Sequence, residues 1–233
     1  MLLYLEMQHS TRVFPFAFPF WQEEVIGLVR AAALVSGDGY ILQAVLDAVY
    51  FQEIPNFELV AVISPDKNTK AMKRAASSGI PAFVVDPELF PNMTSHSMAI
   101  ANKLRDMDID LVILAGYNLE LGVIPYQYKN RIIGTFPALI PAFEDVPEDD
   151  VFRAVLERGA KITGVTVYLA DNDGRPGGII LQKAVDVRPD DSPESLRSRV
   201  TEEGEWKLLP QAIRLFCEGR LSLHGSRVLI SGR

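Results

Sequence analysis

Residues 29–49 run Val29-Arg-Ala-Ala-Ala-Leu-Val-Ser36, then Gly37-Asp-Gly39, then Tyr40 and the apolar set Ile41, Leu42, Val45, Leu46 and Val49. An apolar run, a glycine turn and a period near 3.6 residues predict strand, tight turn and helix in succession. The same alternation continues downstream. Phe57 to Ile63 reads as a strand, Thr69 to Ser78 as a helix, Ile80 to Val85 as a strand and Thr94 to Met107 as a helix, before strands at Leu111 to Leu114 and Arg131 to Thr135. Strands separated by helices imply right-handed crossovers. The fold class expected is therefore α/β, a doubly wound, mainly parallel sheet with helices on both faces.

The second half changes character. Val151 to Arg158 reads as a helix, and Thr163 to Leu169 and Gly178 to Val187 read as strands around the turn-rich segment Asp171 to Gly178. These strands should extend the sheet. Ser192, followed by Pro193 and Glu194, opens a long helical stretch expected to continue through Phe216, with Gly219 as its stop. Leu221 to Ile230 is expected to return as an edge strand.

Residues 1–28 differ from the rest, and the expected division is an N-terminal extension over 1–28 and a domain over 29–233. Val13-Phe-Pro-Phe-Ala-Phe-Pro-Phe20 places aromatics at alternate positions with two prolines, which rules out a central strand. It reads either as an extended arm docking Phe14, Phe16, Phe18 and Phe20 on its own domain or a neighbouring subunit, or as a loosely packed extension. A homo-oligomer is the expectation under the first reading.

Composition narrows the partners. The formal charge of -7, from 30 acidic and 23 basic residues, opposes broad nucleic-acid binding. No apolar run reaches the ~18 residues that signal a membrane span, and no signal peptide is recognisable, so a cytoplasmic protein is expected. Cys217 is the single cysteine, which allows no intrachain disulfide and no Cys-rich zinc site. Cys217 reads as core packing, and no metal is expected.

In open α/β sheets the ligand lies beyond the carboxyl ends of the strands. That rule selects Gly37 to Ile41, Gly116 to Leu119 and Gly134 to Pro141, with Asp171 to Gly178 as a further wall. Gly37 and Gly39 allow close backbone approach and aim helix N–H groups at a ligand, although Asp38 opposes an anion there. Glu144, Asp145, Glu148, Asp149 and Asp150 gather beside the pocket mouth, as a solvated helix cap or as a repulsive or metal-recruiting rim.

Five segments then occur in one order: residues 36 to 47 (Ser-Gly-Asp-Gly onward), Leu-Val-Ile-Leu-Ala-Gly-Tyr over 111 to 117, and Phe-Pro-Ala-Leu-Ile-Pro over 136 to 141. Gly-Gly-Ile-Ile-Leu-Gln over 177 to 182 and Asp-Ser-Pro-Glu-Ser-Leu-Arg-Ser-Arg-Val over 191 to 200 complete the set. Together they resemble the glycinamide ribonucleotide (phosphoribosylglycinamide) formyltransferase family over about residues 29 to 230. The resemblance implies the formyltransferase fold and a one-carbon transferase of purine biosynthesis. Its co-substrate would be 10-formyltetrahydrofolate, with no permanently bound cofactor, and its acceptor the amine of glycinamide ribonucleotide. By the same resemblance Gly37, Asp38, Gly39, Tyr40 and Asn118 fall at the substrate-binding positions. Leu114, Ala115, Gly116, Asp171, Asp173 and Gly177 fall at the folate positions.

The catalytic positions depart from that family. Its members supply an Asn and a His from Asn-x-His-Pro-Ser-Leu-Leu-Pro, and an Asp before a Gly-Gly pair. Here those places hold Gly134, Phe136 and Arg175, with Asp173 the one possible substitute after a loop shift. Glycine and phenylalanine have no side-chain group that stabilises an oxyanion or carries a proton. His9, His96 and His224 fall elsewhere in the chain.

The expectation is a pseudoenzyme, with transfer activity lost or altered. Beside it stand a non-catalytic binding or assembly protein using the Phe-rich arm, and an enzyme acting on another substrate through Asp173, Arg175 or Asn118. A cavity filled by Phe136 and Arg175 would favour the non-enzymatic role, whereas an open one lined by ordered polar groups would favour chemistry.

Overall fold

The computed structural model describes residues 27–232. The Phe/Pro arm and His9 lie outside the described residues. In chain order the elements are β1 (Val29–Val35), α1 (Tyr40–Tyr50), β2 (Phe57–Ser64), α2 (Lys70–Ser77), β3 (Ala82–Val84), α3 (Met93–Asp106) and β4 (Leu111–Ala115). There follow α4 (Ile124–Gln127), β5 (Ile132–Phe136), α5 (Val151–Glu157), β6 (Ile162–Ala170) and β7 (Pro176–Asp186). The chain closes with α6 (Pro193–Val200), α7 (Trp206–Cys217), β8 (Leu221–His224) and β9 (Arg227–Ile230).

Seven strands form one sheet in the order β3-β2-β1-β4-β5-β6-β7. The first five are parallel, while β6 runs antiparallel to β5 and β7 antiparallel to β6. The small apolar residues of β1 and the Leu-Val-Ile-Leu-Ala of β4 are buried on both faces, as a central parallel strand demands. Chain order reverses between β1 and β4, and that is where an open α/β sheet forms its crevice. The two strand ends are tied there, since Ser36 N–H donates to Gly116 O at 3.0 Å.

Local chemistry sets the helix starts. Gly39 caps α1 at φ 68°, and a Cβ on it would lie 2.7 Å from the Ala71 Cα, so the β1–α1 turn needs glycine on both counts. Thr69 and Asn92 cap α2 and α3 through their side chains. Ser192 begins α6 in a reciprocal capping box with Ser195. Asp191 just before it accepts from Arg188 N–H at 2.7 Å, from the Ser195 hydroxyl at 2.9 Å and from the Arg199 guanidinium. Those bonds, above all from Arg199, hold its carboxyl well below the usual carboxylate range.

Two expectations need correction. The helical stretch from Ser192 is interrupted at Thr201–Glu205, a five-residue π segment joining α6 to α7. One extra residue per turn is accommodated there. Gly204 makes it possible, because a Cβ at that position would collide with Val165 of β6. The tail from Leu221 is a separate two-stranded hairpin instead of an edge strand, since Gly225 at φ 64° reverses the chain midway. It packs onto β7 at Gly178, where a Cβ would come within 2.7 Å of Val228 and 3.0 Å of Leu223. Cys217 is buried, and burial pushes its thiol up to about 12, as suits a packing residue.

Candidate functional site

A cleft of about 1500 Å³ opens at the carboxyl ends of β1, β4 and β5. Its walls are the Ser36–Ile41 turn, the Leu114–Gly122 loop after β4, Phe136 and Pro137, the 172–176 part of the β6–β7 loop, and the helical face carrying Arg197, Thr201, Glu205 and Trp206. Trp206 donates its indole N–H to Tyr40 O at 2.9 Å and so fastens α7 to the start of α1 across the cleft.

Gly37, Asp38, Gly39, Tyr40, Asn118, Leu114, Ala115, Gly116, Asp173, Arg175 and Phe136 all line this cleft. Asp171 and Gly177 do not. The Asp171 carboxylate accepts from the N–H groups of Asp173 and Arg175, both at 2.9 Å, and so shapes the β6–β7 turn. Gly177 lies where a Cβ would fall 2.8 Å from Leu169 O, so the backbone crowding of the β-bulge requires glycine. Asp38 pairs with Lys70 at 3.1 Å on the surface beside the glycine turn. Of the acidic rim, Glu148 and Asp149 reach the cleft. Among the described residues no cluster of three or more His, Cys, Asp or Glu is placed to hold a metal ion.

At the β5 end the arrangement differs from an ordinary strand terminus. Gly134 pairs with Tyr168 of β6, and a Cβ on Gly134 would lie 2.8 Å from both Cζ and Oη of that ring. Tyr168 therefore occupies the space into which any side chain at 134 would project. The ring is only 7% exposed and lines the cleft. Burial, with lesser contributions from Glu148 and Asp171, raises its pKa and keeps it protonated. Phe136, two residues along the strand, is nearly buried and presents a ring to the cleft.

Thr135, between them, points to the opposite face of the sheet by the alternation of a strand. Its hydroxyl donates to Glu205 Oε1 at 2.9 Å, and Thr201 donates to Oε2 at 2.8 Å. Glu205 is 3% exposed, and its burial raises its pKa against the opposing pull of those hydroxyls and of Arg197. Glu148 lines the mouth of the cleft, on an exposed turn. Desolvation first, then the proximity of Glu205 and Asp149, push it up to about 8, with Arg197 pulling the other way.

Tyr168 and Glu205 were not singled out from the sequence. Tyr168 sits in an otherwise regular β-strand pattern and carries no signal. Glu205 leaves a trace, because the polar Thr201-Glu-Glu-Gly-Glu205 run interrupts an apolar helical pattern between Val200 and Leu208.

The seven-stranded sheet with its reversal at β1/β4 and an open cleft at the strand ends defines a Rossmann-like α/β protein with a small-molecule site. The family profile described as Formyl transferase matches residues 29–213. This chain belongs to the formyltransferase family. It is 30% identical over 205 residues to the phosphoribosylglycinamide formyltransferase of Haemophilus influenzae, covering 88% of this chain and 94% of that protein. Among solved structures, glycinamide ribonucleotide transformylase 1 from Symbiobacterium toebii superimposes with a TM-score of 0.82 at 39% identity, over 87% of this chain and 94% of that one. The phosphoribosylglycinamide formyltransferase of Coxiella burnetii gives 0.78 at 30% identity, over 87% and 93%. No helix among the described residues is long and apolar enough to cross a membrane.

Proposed function

We propose that this chain is a cytoplasmic phosphoribosylglycinamide formyltransferase-like protein of purine and one-carbon metabolism in which the ancestral reaction is lost or strongly reduced. That reaction moves a formyl group from 10-formyltetrahydrofolate to the amine of glycinamide ribonucleotide. It needs a donor for the developing oxyanion and a base for the attacking amine. One observation carries the reading: Gly134 and Phe136 at the end of β5 carry neither a side-chain donor nor a base, and the space over Gly134 is taken by Tyr168, whose phenol stays protonated and so cannot serve as the base. Loss of one oxyanion donor costs roughly 100- to 1000-fold in comparable enzymes, and loss of the base adds to that. Formyl transfer measured with both natural substrates is expected near background. Turnover within about tenfold of an ordinary relative would refute the reading.

The cleft is open, not filled by Phe136 and Arg175, and this favours a site that still takes a ligand over a vestigial one. The division into an extension over 1–28 and a domain from 29 belongs to the same proposal. So does the assembly role of the Phe-rich arm: light scattering on the full chain and on a chain starting at Val29 should give different masses, and equal masses would remove that role.

A further inference from the structure

The Tyr168 hydroxyl stands beside a bare stretch of β5. A Cβ on Gly134 would lie 2.8 Å from its Oη and 3.3 Å from Leu114 Cδ1, so a short side chain at 134 would end about where the hydroxyl now sits. Tyr168 is paired with Gly134 in the sheet and is nearly buried, which fixes the ring against that glycine. Leu114, Phe136 and Tyr168 all line the cleft, so a ligand atom that reaches the phenol has apolar neighbours.

A phenol that keeps its proton is a hydrogen-bond donor. Burial holds Tyr168 in that form, and the lesser influences of Glu148 and Asp171 act in the same direction. Those two carboxyl groups also decide what the donor can receive, because they oppose an arriving anion but not a neutral carbonyl oxygen. Away from bulk water such a donor acts more strongly on a carbonyl, and more strongly again as negative charge builds on the oxygen. Other donors on the walls fit the task less well. The Trp206 indole is engaged with Tyr40 O, and the Tyr117 hydroxyl is buried without a partner, so a ligand oxygen reaches it only by displacing the wall. Arg175 is exposed on the β6–β7 loop, where a guanidinium takes carboxylates and phosphates in preference to a neutral carbonyl.

Resting on the proposed loss of transfer at this same site, we infer that Tyr168 binds the formyl group of a 10-formylated folate, its hydroxyl donating to the formyl oxygen. The donor absent from position 134 is supplied instead from β6, across the strand pair. Gly134 and Phe136 still offer no base, so the carbonyl is held and polarised while an attacking ammonium keeps its proton. Recognition of the one-carbon donor and delivery of its formyl group are thereby separated.

The test is calorimetry on the full chain with 10-formylfolate and folate, which differ only in the formyl group, for wild type, Tyr168→Phe and Arg175→Gln. Tyr168→Phe should lower the preference for the formylated ligand by about three- to tenfold, the contribution of one hydrogen bond to a carbonyl, and change folate binding by less than about twofold. Arg175→Gln should leave the preference as it is. Labelling the formyl carbon isolates its carbonyl stretch in difference infrared spectra of the bound ligand. That stretch should lie at lower frequency in wild type than in Tyr168→Phe, a shift that altered packing without the hydrogen bond would not produce. The inference is overturned if wild type binds neither ligand, if preference and stretch are unchanged in Tyr168→Phe, or if Arg175→Gln removes the preference instead. Any of these beside background formyl transfer would sink this inference alone, whereas ordinary transfer with a preference that depends on Tyr168 would sink the proposed loss of activity and leave the formyl-binding role standing.

Discussion

Gly134→Ala is the smallest change that probes how Tyr168 packs over the end of β5, the position proposed to have lost its catalytic side chain. Gly134 has an ordinary strand backbone, so an added Cβ brings no conformational strain of its own. Fewer unfolded conformations would even favour alanine by about 0.4–1 kcal/mol. Against that, the Cβ lies 2.8 Å from two atoms of a ring only 7% exposed and 3.3 Å from Leu114 Cδ1. Neither neighbour is a free chain end that can swing into solvent. Overpacking of this kind costs typically ~1–3 kcal/mol, and the rigidity of the ring places it in the upper half of that range. The net loss is then about 1–2.5 kcal/mol, or roughly 2–10 °C in Tm for a domain of this size. Thermal and urea unfolding of Gly134→Ala, Tyr168→Ala and the double variant close a cycle that isolates the clash. A favourable coupling of about 2–3 kcal/mol is expected, because removing the ring makes room for the methyl. An equal penalty for Gly134→Ala in both backgrounds would show that Tyr168 does not close the position.

The two buried carboxyls should respond to pH in opposite senses. The folded pKa of Glu205 is raised, so wild type loses stability as pH climbs from the unfolded carboxyl value, near 4.5, towards the folded one. Glu205→Gln lacks that loss, and its stability relative to wild type in urea should improve from pH 4.5 to 7.5 by about 1.4 kcal/mol per pH unit of separation; a constant difference would refute it. Asp191 is depressed, so its contribution is present above the ordinary carboxylate range and fades as pH falls through the folded value. Asp191→Asn should cost about 1.5–3 kcal/mol at pH 7 and progressively less below pH 4, and a cost independent of pH would remove the Arg199 bond as its cause.

Most of the sheet was legible because periodicity reports burial. The unbroken apolar runs at β1 and β4 and the helix-spaced apolar residues of α1 and α3 each have one physical solution, and the glycine turn at 37–39 fixes where strand becomes helix. The hairpin at 221–230 was misread because an apolar run that turns on one glycine looks like a single strand until its partner is known. The π segment was hidden for a related reason. A polar interruption of a helix reads equally as an exposed stretch, and only the fit of Gly204 against Val165 requires the extra residue. In the cleft, sequence reasoning pointed to Phe136 and Arg175, which line it, but not to the side chains packed around the end of β5. Tyr168 and Glu205 act through pairings across the sheet and between sheet and helix, with sequence separations of 34 and 70 residues. Those contacts leave no local pattern.

The bond from the Trp206 indole to the Tyr40 carbonyl spans 166 positions of the chain. A ribosome delivers the first helix long before the residue that clasps it, so the cleft has only part of its wall until synthesis is nearly complete. During that interval the apolar surface that α7 later covers on β5, β6 and β7 lies bare to the cell. Truncations that stop before Trp206 should leave a sheet prone to association with other nascent chains, and any ligand that spans Tyr40 and the final helix can help only the finished protein.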